Sequence, residues 1–130
     1  MNTPRILIVE DDDALRGELA ELLRALGAIV ICTADGAGAM AHCRDQRFDL
    51  VLCDYKLEAE NGLELLSALA ALPSAPDPGQ HYLMTAHLDL TPSGQNDVMA
   101  GMGGLLRKPI GVASLRKMVS AAVATGARPC

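Results

Sequence analysis

Aromatic residues are scarce in this chain. Of its 130 residues, two are Tyr, one is Phe and none is Trp. Half of the residues are nevertheless apolar and 21% are charged, a balance that excludes an intrinsically disordered chain. The core must therefore be built from Leu, Ala, Val and Ile. A chain of this length can bury roughly two-thirds of its unfolded surface, so it needs no disulfide to fold.

Basic runs and long apolar runs are also missing. Sixteen acidic residues outnumber eleven basic ones and give a net charge of −5, which argues against direct nucleic-acid binding. No apolar stretch approaches the ~20 residues that a membrane span requires. Residues 1–5 run straight into a strand-like segment, which leaves no room for a signal peptide. We therefore expect a soluble, cytoplasmic protein that binds neither nucleic acid nor membrane.

The cysteines and histidines form no recognisable metal or redox motif. The chain has four cysteines but no Cys-x-x-Cys pair. Cys32 and Cys53 lie inside apolar runs, where a cysteine usually serves as a small buried hydrophobe. His42 and His81 lack the spacing of metal ligands, and we expect both at the surface.

Strand-like and helix-like segments alternate along the chain. Helical spacing of apolar residues occurs at 15–26, 38–45, 63–72 and 115–123, with a weaker segment at 88–101. This alternation predicts an α/β fold with a parallel sheet between two helix layers, in a single domain that spans residues 1–130. The apolar runs that read as strands covered on both faces are Ile6–Val9, Ile29–Cys32, Leu50–Cys53, Tyr82–Met84 and Leu105–Leu106.

Acidic side chains follow the first and third predicted strands. The first strand runs into four consecutive acids. Capping of the next helix accounts for one or two of them but not for Glu10 and Asp11, which follow the strand directly. Asp54 follows the third strand. Two unit charges ~4 Å apart repel by about 4 kcal/mol at an effective dielectric constant near 20, so three clustered carboxylates need a counter-ion, and oxygen ligands of this kind suit Mg²⁺.

A hydroxyl and an ammonium group follow the fourth and fifth predicted strands. Thr85 comes directly after Met84, and Lys108 precedes Pro109, which restricts the backbone of the lysine. Either residue alone would carry little meaning. Ligands of doubly wound folds bind at the carboxyl ends of the strands, so the combination of acids, hydroxyl and ammonium there indicates a functional site.

These residues lie in a set of motifs that resembles the receiver domains of two-component response regulators. The resemblance covers essentially the whole chain. It implies a flavodoxin-like, doubly wound fold with a five-stranded parallel sheet of order 2-1-3-4-5 and five helices. The matching segments are Ile6-Leu-Ile-Val-Glu-Asp-Asp, Leu52-Cys-Asp-Tyr-Lys-Leu, Asn61-Gly-Leu-Glu-Leu-Leu, Met84-Thr-Ala and Arg107-Lys-Pro-Ile.

The resemblance also implies a phosphoacceptor and a metal site. Asp54 would attack the phosphorus of a phosphohistidine. Asp11 would bind Mg²⁺ (or Mn²⁺) directly, and Glu10 would bind it through water. Asp54 and the main-chain carbonyl of Lys56 would supply further ligands.

Thr85 and Lys108 would act on the phosphoryl group itself. By resemblance, Thr85 would donate a hydrogen bond to a phosphoryl oxygen and report its arrival. Lys108 would pair with the Asp54 carboxylate and then with the phosphoryl group. The chemistry agrees, because phosphoryl transfer spreads negative charge over the equatorial oxygens, which a divalent cation, an ammonium and a hydroxyl stabilise.

The chain departs from the family pattern at Leu105, where receivers commonly carry an aromatic residue three positions before the lysine. Leucine there argues against an aromatic-coupled switch but not against phosphorylation. Lys56 and His87 lie two residues after Asp54 and Thr85, at positions that influence hydrolysis of the phosphoryl group in the family. We expect Lys56 to slow autodephosphorylation.

The resemblance implies a phosphorylation-dependent signalling switch rather than an enzyme. It would accept its phosphoryl group from a histidine kinase or a histidine phosphotransfer protein, and would be a monomer or weak dimer. Only residues 126–130 follow the last predicted helix. We therefore expect output through a protein partner that binds the face of the fourth helix, fifth strand and fifth helix. The initial Met favours a stand-alone protein, although the motifs around Asp54 and Lys108 also resemble receivers attached to hybrid kinases.

Two alternative functions remain open. A pseudo-receiver would bind partners without being phosphorylated. This alternative stays open because Leu105 replaces the aromatic residue that is usual in the family. A haloacid-dehalogenase-type phosphatase would also use an Asp nucleophile, Mg²⁺, Thr and Lys. Asp11-x-Asp13 superficially fits its motif, but Leu15 stands where Thr or Val is expected, and the sequence has no segment for a cap domain.

Overall fold

The structure is a computed structural model that describes residues 3–55, 57, 61–72, 80–85, 104–108 and 110–126. Strands and helices alternate as the sequence predicts. The strands are β1 (Arg5–Val9), β2 (Ile29–Thr33), β3 (Leu50–Asp54), β4 (His81–Thr85) and β5 (Gly104–Arg107). The helices within the described residues are α1 (Asp13–Ala25), α2 (Gly36–Asp45), α3 (Gly62–Ala70) and α4 (Val112–Gly126).

All strands lie parallel in one sheet of order β2-β1-β3-β4-β5. β1 lies between β2 and β3, so that Ile6 pairs with Val30 on one side and with Leu50 on the other. The chain builds outward in one direction from β1 to β2 and in the other direction from β3 onward. The carboxyl ends of β1 and β3 therefore form the switch point at which such folds bind ligands.

The sheet separates two apolar layers. Ile6 and Ile8 of β1 face the layer of α1 and α4, whereas Leu7 and Val9 face the layer of α2 and α3. All four side chains are fully buried, as expected for a strand that is covered on both faces. Leu, Ile, Val, Ala and Met fill most of both layers, and the single Phe, Phe48, belongs to the second.

The predicted parallel α/β architecture is confirmed. α4 corresponds to the fifth predicted helix. The fourth predicted helix, residues 88–101, lies outside the described residues. Asp54 and Thr85 are the last residues of β3 and β4 rather than the first residues after them, because the parallel ladder continues to these positions.

Two helix boundaries differ from the prediction for local reasons. α2 begins at Gly36 rather than Gly38, because the Asp35 side chain caps it and accepts a hydrogen bond from the Gly38 N–H at 2.8 Å. α3 ends at Ala70 and does not continue to Leu72. Its last turn tightens there, where the Leu72 N–H donates to the carbonyl of Leu69 at 2.9 Å.

The prediction that His81 lies at the surface is wrong. His81 is the first residue of β4, pairs with Val51 of β3 and is 2% exposed. β4 is an inner strand of a sheet that carries an apolar layer on each face, so even its first side chain is covered. The Pro-rich segment before it suggested a later start of the strand, at Tyr82. His42 is half-buried on α2.

The cysteines in the described residues form no disulfide with one another. Cys53 is buried in the sheet, as predicted, and Cys32 is only half-buried because β2 is an edge strand. Cys43 is buried on α2, and this burial raises the pKa of its thiol.

Gly62 should be required for the packing of α3 against the end of β3. A Cβ atom at this position would lie 2.1 Å from the Asp54 carbonyl oxygen, which belongs to the backbone. We expect Gly62→Ala to lower the free energy of unfolding by about 1–3 kcal/mol, the usual cost of overpacking, as measured by urea denaturation.

Gly17→Ala is the matched control for this prediction. Gly17 also lies in a helix, but a Cβ there meets no atom within 4 Å. Alanine should raise the free energy of unfolding there by about 0.5–1 kcal/mol through its higher helix propensity. Equal stability of Gly62→Ala and the wild type would contradict the predicted clash.

Candidate functional site

Three carboxylates meet at the switch point of the sheet. Glu10 and Asp11 directly follow β1, and Asp54 ends β3. One carboxylate oxygen from each lies within 4.8 Å of the others. Glu10 is fully buried, Asp54 is 7% exposed, and Asp11 is half-buried. The predicted acidic cluster is therefore present, and two of its members, Glu10 and Asp54, are buried.

The backbone around these side chains is held by hydrogen bonds that continue the sheet. The Glu10 N–H donates to the carbonyl of Thr33 at 3.0 Å, and the Tyr55 N–H donates to that of Met84 at 2.7 Å. On the other side of β4, the Lys108 N–H donates to the carbonyl of Thr85 at 2.8 Å. The hydrogen-bond ladder thus extends beyond the strand ends. The side chains of the site are therefore attached to backbone that is held in place by the sheet.

Lys108 supplies positive charge to the acidic cluster. Its Nζ lies 2.6 Å from Oε1 of Glu10 and 3.3 Å from Oδ2 of Asp54. Burial acts to lower the pKa of Lys108, but the hydrogen bond to Glu10 and the charges of both carboxylates outweigh it, so that the pKa is raised. Lys108 therefore stays charged.

The carboxyl group of Glu10 titrates far from its ordinary range. The pKa of Glu10 is raised to about 7, chiefly by burial; Lys108 acts to lower it, and the neighbouring Asp54 acts to raise it. Burial is the main cause of this rise, and Asp54 adds to it because its negative charge lies beside Glu10. A single ammonium group does not neutralise these carboxylates.

The donor set fits a hard divalent cation. Carboxylate oxygens converge on one point, the local charge is negative, and Mg²⁺ favours one or two carboxylates together with water. Lys108 contacts Glu10 at 2.6 Å and Asp54 at 3.3 Å, so the oxygen of Glu10 is the more closely engaged of the two. The prediction that Glu10 acts through water stays a prediction.

Thr85 lies at the same edge of the sheet. It ends β4, next to Met84, whose register partner on β3 is Asp54, and it is 8% exposed. Lys56 and His87 lie outside the described residues, and their predicted roles stay predictions. The backbone of Leu105 pairs with Leu83 in the sheet, while its side chain lies outside what the structure describes.

Sequence reasoning missed two features of the site. It paired Lys108 with Asp54 alone, whereas the shorter contact joins Lys108 to Glu10. It also assigned no role to Arg16, which donates a hydrogen bond to the main-chain carbonyl of Glu10 at 2.8 Å. The spacing of Asp13 and Arg16 at i and i+3 on a helix was the available signal for an ordered arginine there.

A family comparison agrees with this geometry. Residues 6–120 match the family model described as the response regulator receiver domain. Virulence sensor protein BvgS of Bordetella pertussis is 35% identical over 131 residues, which cover 96% of this chain and 10% of that protein. Sensor histidine kinase AruS of Pseudomonas aeruginosa is 36% identical over 118 residues, covering 86% of this chain and 11% of that protein. The chain thus spans about a tenth of the length of these relatives.

Solved structures share the fold. A CheY-like response regulator receiver domain from Methylobacillus flagellatus superposes with a TM-score of 0.81 at 27% identity, covering 93% of this chain and 99% of that one. A CheY-like receiver domain protein from Methanospirillum hungatei gives a TM-score of 0.79 at 26% identity, covering 95% and 97%.

The family match and the solved structures thus agree with the fold that carries the acidic cluster. The helices of the described residues include none long and apolar enough to cross a membrane. The architecture is that of the flavodoxin-like receiver fold. The chain belongs to the response regulator receiver domain family, whose members are phosphoacceptor signalling domains of two-component systems rather than enzymes.

Proposed function

We propose that residues 1–130 form one receiver domain that accepts a phosphoryl group on Asp54 from a phosphohistidine, in a reaction that requires a divalent cation. The observation that carries this proposal is the convergence of Asp54 with Glu10, Asp11 and Lys108 at the switch point. Glu10 and Asp54 both contact the ammonium, but the Asp54 side chain is 11% exposed whereas that of Glu10 is fully buried, so Asp54 is the one that a phosphodonor can reach.

The transfer step needs a carboxylate nucleophile whose charge is compensated. An oxygen of Asp54 forms a bond to phosphorus while the phosphorus–nitrogen bond of the donor histidine breaks. The imidazole nitrogen keeps the electron pair of that bond and takes up a proton. Lys108, 3.3 Å from Oδ2 of Asp54, offsets repulsion between the carboxylate and the anionic donor. Thr85, at the same edge, would donate its hydroxyl to a phosphoryl oxygen.

Asp11 and Asp54 would hold Mg²⁺ or Mn²⁺ directly, with Glu10 acting through water and the main-chain carbonyl of Lys56 as a further ligand. A bound divalent cation stabilises charge that develops on the transferring phosphoryl oxygens. The convergence of Glu10, Asp11 and Asp54 supports this assignment, because three carboxylates share the charge of the Lys108 ammonium.

Histidine kinases or histidine phosphotransfer proteins would be the donors. Relatives that are sensor proteins, with a matching segment of about a tenth of their length, support this class of partner. Among the described residues, Cys32, Cys43 and Cys53 form no disulfide with one another, as expected in a reducing compartment, and we place the protein in the cytoplasm. Output would pass to a protein partner at the face of residues 88–101, β5 and α4.

Phosphorylation should depend on Asp54 and on the cation. We expect incubation with acetyl phosphate and Mg²⁺ to add one phosphoryl group, read by intact mass, because Asp54 is the carboxylate that Lys108 and the acids surround. Asp54→Asn should abolish the adduct, and a chelator should block it. Asp45→Asn, which removes an exposed carboxylate on α2, is the matched control and should be modified normally.

Other outcomes of this experiment discriminate the alternatives. An adduct that persists in Asp54→Asn would show that a residue other than Asp54 accepts the phosphoryl group. Turnover of a soluble phosphomonoester would favour a phosphatase. Absence of an adduct from acetyl phosphate and from any histidine kinase would favour a pseudo-receiver.

Mg²⁺ should stabilise the folded protein through Asp11. A ligand at 100 times its Kd adds about 2.7 kcal/mol to the free energy of unfolding, which corresponds to a rise of several degrees in Tm for a chain of this size. We expect Asp11→Asn to remove most of this rise in thermal melts with and without Mg²⁺, whereas Asp45→Asn should retain it. A full rise in Asp11→Asn would show that Asp11 is not a ligand.

Lys56 should set the lifetime of the phosphorylated state. On the sequence argument, its ammonium would pair with the phosphoryl group or obstruct attacking water. We expect Lys56→Asn to speed the loss of the adduct after removal of the phosphodonor, and His87→Ala to test the second flanking position in the same assay. An unchanged decay rate in Lys56→Asn would reject the role of Lys56.

A further inference from the structure

Arg16 links the first turn of α1 to the segment that carries two of the acids. Its Nη1 donates to the main-chain carbonyl of Glu10 at 2.8 Å, and its Nη2 forms an ion pair with Asp13. The Arg16 side chain is only 22% exposed, whereas that of Asp13 is 89% exposed. The guanidinium therefore lies against the loop between β1 and α1 rather than extending into solvent.

This contact fixes the peptide group that joins Glu10 to Asp11. The Glu10 N–H is bound to the carbonyl of Thr33, and the Glu10 carbonyl is bound to Arg16, so both main-chain polar groups of Glu10 are held. The carbonyl of Glu10 and the N–H of Asp11 lie in one rigid peptide plane. Holding that carbonyl therefore places the N and Cα atoms of Asp11, the backbone atoms from which its side chain extends.

Arg16 binds a carbonyl rather than the carboxylates of the pocket. A guanidinium paired with Asp11 or Asp54 would compete with a cation for the same oxygens. The hydrogen bond to the Glu10 carbonyl instead leaves those oxygens to the pocket. Arg16 would therefore have two opposite effects on the affinity for a cation. Its positive charge would weaken binding, whereas its hydrogen bond to the Glu10 carbonyl would strengthen binding by holding the backbone.

We propose that Arg16 is a positioning residue of the cation site, which holds the Glu10–Asp11 peptide so that the carboxylates of Glu10, Asp11 and Asp54 converge. This inference rests on the proposed function, since it requires that the pocket binds a divalent cation. Outer groups that orient metal ligands typically contribute 10–100-fold to affinity. Arg16 acts through the backbone and has no assigned contact with the reacting atoms.

The test measures the Kd for Mg²⁺ by titration calorimetry in Arg16→Gln and Arg16→Lys. Gln removes the charge, and Lys keeps it but cannot bridge the Glu10 carbonyl and Asp13 with a planar fork. Positioning predicts weaker binding in both variants, by about 10-fold. If charge alone matters, Gln will bind Mg²⁺ more tightly and Lys will bind it as the wild type does, and the proposal fails.

Arg24→Gln is the matched control for a merely structural role. Arg24 lies on the same helix, and its Nη2 donates to the carbonyl of Val30 at 3.0 Å, again between residues six positions apart. Its loss should lower stability in urea denaturation without changing the Kd for Mg²⁺. Equal Kd values in Arg24→Gln, Arg16→Gln and the wild type would overturn the proposal.

A metal-free measurement makes the test independent of the cation. Without Mg²⁺, Arg16→Gln should shift the amide resonance of Asp11 and speed hydrogen exchange there, while Arg24→Gln should leave that amide unchanged. An unchanged Asp11 amide in Arg16→Gln would overturn the positioning role. If the wild type itself binds no Mg²⁺, the proposed cation site fails, and this result is distinct from a failure of Arg16.

Discussion

The carboxyl ends of β1 and β3 hold more negative charge than the nearby ammonium group neutralises. Oxygens of Glu10, Asp11 and Asp54 lie within 4.8 Å of one another, and each such pair repels by several kcal/mol at a protein-like dielectric constant. Lys108 offsets part of this repulsion through its contacts with Glu10 and Asp54. Burial, with a contribution from Asp54, raises the pKa of Glu10, and the two carboxylates raise the pKa of Lys108.

Such a cluster persists only because the surrounding backbone leaves it little room to separate. The sheet ladder holds Glu10 and Tyr55 just beyond the strand ends, while close packing of Gly62 against the Asp54 carbonyl leaves no space for a Cβ atom. The large apolar layers on both faces of β1 and β3 stabilise the fold by far more than the repulsion costs. The core therefore keeps the three carboxylates close together, whereas loops without this support would move apart and reduce their repulsion.

Much of this arrangement could be predicted, because it depends on local pattern. Apolar runs identify β1 and β3, and parallel strands align their carboxyl ends, so Glu10, Asp11 and Asp54 had to meet if the strands were neighbours. The contact between Glu10 and Lys108 could not be predicted, because it joins residues 98 positions apart and depends on side-chain length. His81 was assigned wrongly because burial at a strand start depends on the neighbouring strands.

Lys108 is held at both ends, and this bears on how a phosphorylated Asp54 would be sensed without an aromatic residue at position 105. Its main-chain N–H is bound to the Thr85 carbonyl, and its ammonium is bound to buried Glu10. A long lysine side chain ordinarily absorbs a change at its tip through rotation of its stem, but this one is anchored. On the proposed function, a phosphoryl group that draws the ammonium from Asp54 would therefore strain the backbone between β4 and β5. Such a route would run through the main chain at Thr85 and Lys108 and would require no aromatic ring, so Leu105 would be compatible with a switch of this kind.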